Sequence, residues 1–355
     1  MRILFNIGHP AQVHLFKNLI WNLEKRGHEC KITTIDKEIS VYLLNVYGFD
    51  YEVVGKAKAH LFSKALDMIK VDYKLYKITK SFKPDILVGG VGNVYVPFLG
   101  KLIRIPSIVF DDTEHAKIEH LLMDPFASVI CTPSCYKKEL GKKQIRYNGY
   151  HELAYLHPNY FTPNPAVLDE MGLSKDDTFI ILRFVSWSAS HDVGQHGIRN
   201  KIELVRELEK YGRVLITSEG QLPKELEKYK IKVSPDKLHD LLYYASLYVG
   251  EGATTASECA VLGTHAIYVN TLRLGYTDEE EERYNLVYNF SDEKTMEKEA
   301  FNKALELLEN NNLREEGKRK REQLLKDKID VTAFMVWFIE NYPESFKEMK
   351  ENQRI

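Results

Sequence analysis

Gly250-Glu-Gly-Ala-Thr-Thr-Ala-Ser-Glu-Cys-Ala-Val-Leu-Gly263 is the stretch that decides how this chain folds. It follows the apolar strand candidate Leu247-Tyr-Val249 and precedes another, His265-Ala-Ile-Tyr-Val269. Gly250 and Gly252 permit a tight turn, and residues 254–262 carry the spacing of a short helix. Strand, glycine turn, helix, strand is the unit from which parallel α/β sheets are built. A glycine turn that opens a helix also aims free backbone N–H groups, and the positive end of the helix dipole, at whatever sits there. An anion is the natural guest. Glu258 lies about one turn beyond Thr254 and Thr255 on the same face, within reach of a group attached to that anion. A phosphate followed by a hydroxyl-bearing sugar fits. Similar junctions occur in α/β proteins that bind nothing, and Glu258 would then be an ordinary solvent-facing residue.

Working outward, strand and helix patterns alternate from end to end, as in parallel sheets covered by helices. The first series of strands is Arg2–Asn6, Cys30–Thr34, Tyr51–Val54, Ile86–Val88, Ser107–Phe110, Val129–Thr132 and Gln144–Tyr147. Helices are expected up to Lys25 with Gly27 as the stop, over 37–47, over 56–83 and over 94–103. Pro158, Pro163 and Pro165 then mark a linker. The second series has strands Thr178–Phe184, Arg213–Thr217, Ile231–Val233, 247–249 and 265–269, with helices over 200–210 and 236–246. Helices 292–310 and 313–328 and the apolar-aromatic stretch Val331–Ile339 follow.

The 355 residues suit two domains better than one core. The boundaries read as 1–157, 158–330 and a segment 331–355 that crosses back to the first domain. With 44% apolar and 28% charged residues and a net charge of −2, nothing points to nucleic acid as a partner. Cys131 and Cys135 are spaced C-x3-C, but no second pair completes a zinc set, and no metal is expected. The chain opens on a strand with no signal peptide, and no apolar run reaches the ~20 residues that span a bilayer. A cytoplasmic protein is the expectation, with a contact to the inner membrane face left open.

The order of these motifs resembles a known family. Residues 231–269, from Ile231-Lys-Val-Ser-Pro-Asp through Gly250-Glu-Gly-Ala-Thr-Thr-Ala-Ser-Glu258 to Ile267-Tyr-Val269, are similar to the donor-binding half of GT-B glycosyltransferases. Among these, the N-acetylglucosaminyltransferases that complete lipid II share the order most fully. Ile7-Gly8-His9, the Gly89-Gly-Val-Gly92 loop, the Asp111-Asp-Thr-Glu-His115 loop and Asn148-Gly149 agree with their first domain. UDP-N-acetylglucosamine 2-epimerases share the fold and a similar helix. Membership in an uncharacterised family of this fold, a domain of unknown function, is also expected. The resemblance implies two Rossmann-like parallel-sheet domains facing a cleft, with C-terminal helices packing back on the first. It implies a nucleotide-sugar, a UDP-sugar, as substrate and no separate cofactor. Glu258 would take the ribose hydroxyls. Gly252, Ala253, Thr254 and Thr255 would cradle the diphosphate, the loop around Val233 would meet the base, and Arg183, Ser186 and Ser188 would approach the nucleotide. Glu251 departs from the pattern, standing where the lipid II enzymes have an arginine, and the loop 185–194 is longer than theirs.

Glycosyl transfer needs a base for the acceptor hydroxyl and positive charge or dipoles for the leaving diphosphate. His9 and His14 follow the first strand, where ligands of parallel sheets bind, and an imidazole there suits a base. The alternative is a helix cap and a polar surface residue. Asp111, Asp112, Glu114 and His115 crowd one loop, where carboxylates shift each other's pKa; Asp112 is the candidate catalytic group and Glu114 a substrate ligand. Asp112 or Thr113 could instead cap a helix. Gly90 and Asn93 in the glycine loop, and Trp187 and His191 in the second-domain loop, complete the substrate-binding candidates; Trp187 stacks on a sugar or is simply buried.

Lys56, Lys58, Lys64, Lys70, Lys74, Lys77, Lys80 and Lys83, offset by Asp67 and Asp72, interleave with Leu61, Phe62, Leu66, Ile69, Tyr73 and Tyr76 at helical spacing. This reads either as a solvated lysine face on a core helix or as a basic amphipathic face for anionic lipid. A glycosyltransferase that moves a sugar from a nucleotide-sugar to an unidentified acceptor is the leading functional reading; the acceptor is lipid-linked if this face meets a membrane. A nucleotide-sugar 2-epimerase and a non-catalytic nucleotide-binding protein are the alternatives.

Overall fold

A computed structural model describes residues 1–56, 61–186 and 196–352, without the side chains of Glu38 and 61–68. The chain divides into two compact units. Met1–Tyr155 and the returning segment from Ile329 make the first, and Leu156–Lys328 the second.

The first unit is a seven-stranded sheet in the order β3-β2-β1-β4-β5-β6-β7. Its strands are β1 Arg2–Ile7, β2 Glu29–Asp36, β3 Tyr51–Lys56, β4 Ile86–Gly89, β5 Ser107–Phe110, β6 Val129–Pro133 and β7 Gln144–Tyr147. All its pairings are parallel. The central strands are apolar and buried along their length, as expected of a sheet covered on both faces. Chain direction reverses across the sheet between β1 and β4, so the crossover helices divide between its faces. Helices Leu61–Phe82, Tyr95–Ile103 and Lys117–Met123 lie side by side on one face. Helix Pro10–Lys25 packs against the returning helix Val331–Glu340. Thr332 Oγ1 and Asn18 Nδ2 both donate to the Ala154 carbonyl, at 2.8 Å each, and Glu340 bridges Arg26 (3.2 Å) and His28 (2.9 Å). The apolar Val331–Ile339 stretch is thus a core helix of the first unit.

The second unit is a five-stranded parallel sheet in the order β12-β11-β10-β8-β9. Its strands are β8 Phe179–Phe184, β9 Arg213–Ser218, β10 Leu247–Gly250, β11 Ala266–Val269 and β12 Val287–Phe290. Two sequence expectations fail here. Ile231–Val233 is not a strand, because only Lys230 reaches a bridge, with Ile216, before Pro235 starts a 3-10 turn. The edge strand β12 takes that place in the count; its half-polar Val-Tyr-Asn-Phe lacks the apolar run of a central strand. In the first unit, the helix expected from residue 56 does not include that residue, since Lys56 ends β3; the described helix is Leu61–Phe82.

Helix Ala253–Leu262 ends at Gly263 in the left-handed region, φ 85°, and helix Leu313–Asp327 crosses that end at Gly317. A Cβ on Gly317 would lie 2.1 Å from the Gly263 carbonyl oxygen. Gly317→Val must therefore push two helices apart, and it is expected to lower the unfolding free energy by about 1–3 kcal/mol in urea denaturation.

Candidate nucleotide site and acid–base cluster

In the second unit, β8 and β10 are neighbours, but the chain leaves them in opposite directions across the sheet. Ligands of open α/β sheets bind at the carboxyl ends of strands beside such a switch point. Gly250 pairs with Arg183 there, and the loops after both strands diverge from that spot. Gly250 admits no side chain, since a Cβ would lie 2.4 Å from the Tyr248 hydroxyl. Helix Ala253–Leu262 begins at Gly252, whose extended backbone (φ −97°, ψ 114°) provides no side-chain cap. The helix leaves the N–H groups of its first turn, Ala253 to Thr255, without intrahelical acceptors. Arg183 lies against this start, its Nε 3.1 Å from the position a Gly252 Cβ would take. Glu219 (2.6 Å) and Thr217 (3.3 Å) hold the guanidinium. A guanidinium beside an uncapped helix start is a pair of anion-seeking elements on one spot.

Glu258, one turn into the helix, is buried and not solvent-facing. Its Oε1 meets His239 Nε2 at 2.9 Å, and His239 is buried as well. Sequence reasoning missed His239, which lies on the adjacent helix Leu238–Tyr244. Glu251 is also buried. Its two carboxylate oxygens accept from the backbone N–H of Val185 (2.8 Å) and Ile198 (2.7 Å), at either end of the long loop. The residue that departs from the resembled pattern is thus the clamp of the loop that departs with it. Ser186 is exposed, and Val233 sits half-buried in a bend. Trp187, Ser188 and His191 lie outside the described residues.

The first unit has its own switch point between β1 and β4. His9 caps helix Pro10–Lys25, its Nδ1 accepting from the Ala11 N–H at 3.3 Å. With Nδ1 so used, the neutral ring carries its proton on Nε2. His14 is buried within the helix, its Nδ1 3.2 Å from the Tyr47 hydroxyl and its ring against Tyr155. Asn93 ties the two strands together: its Nδ2 donates to the backbone and side-chain oxygens of Asn6, both at 2.8 Å, and its Oδ1 accepts from Val96 N–H. Gly90 receives the Gln12 side chain, which would lie 2.8 Å from a Cβ.

The loop after β5 carries the densest chemistry. It caps no helix: helix Lys117–Met123 starts at Ala116 without a side-chain cap, and Asp111 instead accepts from Thr113 N–H at 2.8 Å. Asp111 is fully buried, which pushes its carboxyl up to about 7 even though His120, 3.7 Å away, works the other way. Burial likewise opposes charge on His120, but Asp124, Asp111 and the Thr113 carbonyl outweigh it and raise its pKa to about 9. Asp112 is the opposite case. Burial works against its charge, yet His151 Nδ1 at 2.9 Å and the Thr113 hydroxyl hold it below the usual carboxylate range. His151 is stacked on Tyr147, and its Nε2 is buried without a hydrogen-bond partner. In the neutral ring, a carboxylate on Nδ1–H makes Nε2 the acceptor nitrogen. Glu114 is buried and accepts from Lys137 N–H at 3.1 Å. Sequence reasoning found Asp112 but neither His120 nor His151, because each joins the loop from a separate element.

Two curated relatives match. The uncharacterized protein MJ0665 of Methanocaldococcus jannaschii is 25% identical over 274 residues, covering 74% of this chain and 79% of that protein. A UDP-N-acetylglucosamine–N-acetylmuramyl-(pentapeptide) pyrophosphoryl-undecaprenol N-acetylglucosamine transferase of Halothermothrix orenii is 23% identical over 163 residues, 42% of this chain and 44% of that protein. Among solved structures, the S. aureus MnaA-UDP complex aligns with TM-score 0.69 at 11% identity, covering 97% of both chains. The spinosyn rhamnosyltransferase SpnG with thymidine diphosphate gives 0.62 at 13%, covering 96% of this chain and 100% of that one. The UDP-GlcNAc 2-epimerase of Methanocaldococcus jannaschii gives 0.61 at 15%, covering 88% and 94%. These likenesses show the fold, two Rossmann-like parallel-sheet units of the GT-B kind. A family model spans residues 1–340, and the chain belongs to that family, the protein of unknown function DUF354.

Proposed function

We propose that this protein is a glycosyltransferase that takes a UDP-sugar as donor and transfers its sugar to a lipid-linked acceptor. The observation that carries the reading is the start of helix Ala253–Leu262, uncapped, floored by Gly252 and flanked by Arg183, with buried Glu258 one turn on. The first-turn N–H groups and Arg183 supply the positive field that a leaving diphosphate needs, so the reading calls for no cofactor beyond the donor itself. Glu258, oriented by His239, is the ligand for the ribose hydroxyls. In the first unit, the Asp112–His151 pair is the group best prepared to accept the acceptor's proton, since Asp112 holds Nδ1 and leaves Nε2 bare. His9, in the loop that follows β1, is a ligand for an acceptor oxygen in this reading.

Millimolar UDP is expected to raise the melting temperature of the protein, and Glu258→Ala and Arg183→Ala each to abolish that rise while melting cooperatively. No shift with any nucleoside diphosphate or nucleotide-sugar would refute the reading. The acid–base density around Asp111 and His120 favours a 2-epimerase as the second reading. Incubation with UDP-sugars in heavy water separates the two, because only an epimerase places solvent deuterium on the sugar carbon.

A further inference from the structure

The exposed apolar side chains of this protein are unevenly distributed. Among the described residues, all twelve large apolar side chains that stand exposed belong to the first unit, and eight of them sit on three neighbouring helices. On helix Leu61–Phe82 the core-facing residues are Val71, Leu75 and Ile78. The stripe Ile69, Tyr73 and Tyr76, which spacing alone could assign to the core, faces outward instead, with Ile69 66% and Tyr73 60% exposed. The next helix, Tyr95–Ile103, buries Val96 and Leu99 and turns Phe98 and Leu102 outward, Leu102 at 63%. The third, Lys117–Met123, buries His120 and Met123 and presents Ile118, Leu121 and Leu122, with Leu121 at 74%. Phe98 meets Phe126 edge-on at 5.8 Å, which joins the second helix to the turn that follows the third. Isolated exposed leucines need no explanation, but a run of them across three adjacent helices does.

The fully exposed charge on these helices is positive, while Asp72 and Glu119 are half-buried. Lys70, Lys74, Lys77, Lys80, Lys101, Arg104 and Lys117 are exposed, and no carboxylate on these helices is exposed among the described residues. Lys77 lies over the Tyr73 ring at 4.5 Å and Lys80 over Tyr76 at 5.6 Å, so cations and aromatic rings share one surface. The whole chain carries a net charge of −2, so this face departs from the average.

We infer that this face of the first unit docks on an anionic lipid surface, with Phe98, Leu102, Ile118, Leu121 and Leu122 entering the interface and the lysines and Arg104 meeting the headgroups. No helix of the described residues is long and apolar enough to cross a membrane. The contact is therefore peripheral, built from apolar burial and electrostatic attraction together. Charge complementarity selects this occupant over a second copy of the chain, because pairing the face with itself would set lysines against lysines. The third helix of this face directly follows the loop that carries Asp112, which brings a lipid-borne substrate to that end of the unit. The inference is independent of the nucleotide reading and is tested without nucleotide.

Flotation with vesicles of phosphatidylglycerol and phosphatidylcholine, against phosphatidylcholine alone, reads the contact directly. The wild-type protein is expected to float with the anionic vesicles, to remain free with neutral ones and to be released by high salt. Leu102→Glu combined with Leu121→Glu is expected to lower partitioning about tenfold or more. Both positions are exposed, so the melting temperature should not change. Ile39→Glu with Val46→Glu, on the exposed side of helix Glu38–Val46, is the control and should float as wild type does. Equal binding by the double variant and the wild type would overturn the inference. So would an absence of wild-type binding to anionic vesicles. A dimer in sedimentation that the double variant converts to monomer, with no vesicle binding, would assign the face to a second copy.

Discussion

Replacing Glu251 by alanine is expected to destabilise the second unit by about 3 kcal/mol. Each carboxylate oxygen satisfies one backbone N–H, of Val185 and of Ile198, and an orphaned buried donor costs about 1–3 kcal/mol. Gly197 packs so closely on the carboxyl that a Cβ there would lie 2.5 Å from Oε1, so alanine also opens a void. For a unit of this size the loss corresponds to a melting temperature lower by on the order of 10 °C. Glu251→Gln keeps one acceptor and turns an NH2 toward the other amide, so it should recover less than half of the loss. Scanning calorimetry of the two variants measures this, and a drop under about 1 kcal/mol for alanine would show that the clamp contributes little. The nucleotide response should weaken with stability. Glu251 N–H donates to the Arg183 carbonyl at 3.1 Å, so the clamp also sets where Arg183 meets the helix start.

The second large effect is one of pH. Glu280 is fully buried; its Oε1 accepts from Ser257 at 2.5 Å, while Oε2 has no hydrogen-bond partner. Burial pushes its pKa up to about 8, with the Ser257 bond working in the other direction. The folded protein therefore keeps a proton that the unfolded chain releases near 4.5. This contribution to stability is complete below pH ~4.5 and is lost as pH rises through about 8, at most about 5 kcal/mol in all. His120, raised to about 9, loses stability in the same direction as pH rises from about 6.5. Glu280→Gln preserves an oxygen for Ser257 and has no proton to lose. It should match the wild type near pH 5 and be more stable by several kcal/mol near pH 9. Urea denaturation at the two pH values measures the difference. Parallel pH profiles for wild type and variant would show that Glu280 does not titrate as argued.

How much of this was legible in the sequence differs between backbone and side chains. The central strands β4, β5 and β6 of the first sheet could be read from short apolar runs, because a strand buried on both faces has few polar residues to blur it. The edge strand β12 and the false strand at 231–233 were misread for the converse reason: an edge strand is half-polar, and an isolated Ile-Lys-Val resembles one. The lysine-rich helix shows the same limit. Its two apolar stripes, Val71-Leu75-Ile78 and Ile69-Tyr73-Tyr76, both have helical spacing, and only packing decides which one the sheet covers.

The sequence by itself determined that strands and helices alternate, that a glycine turn opens the helix at 253, and that Glu258 follows one turn later. These are local matters, set by backbone freedom at glycine and by the helical repeat. The partners of the charged groups were decided by the tertiary structure alone. His239 stands 19 residues from Glu258, and the two amides held by Glu251 stand 66 and 53 residues away. Asp112 meets His151 only because β5, β6 and β7 lie in sequence and parallel across one sheet, which puts the segments after β5 and β7 at the same, carboxyl edge. A buried charge must find a partner, but the chain order does not name it; the sheet order does.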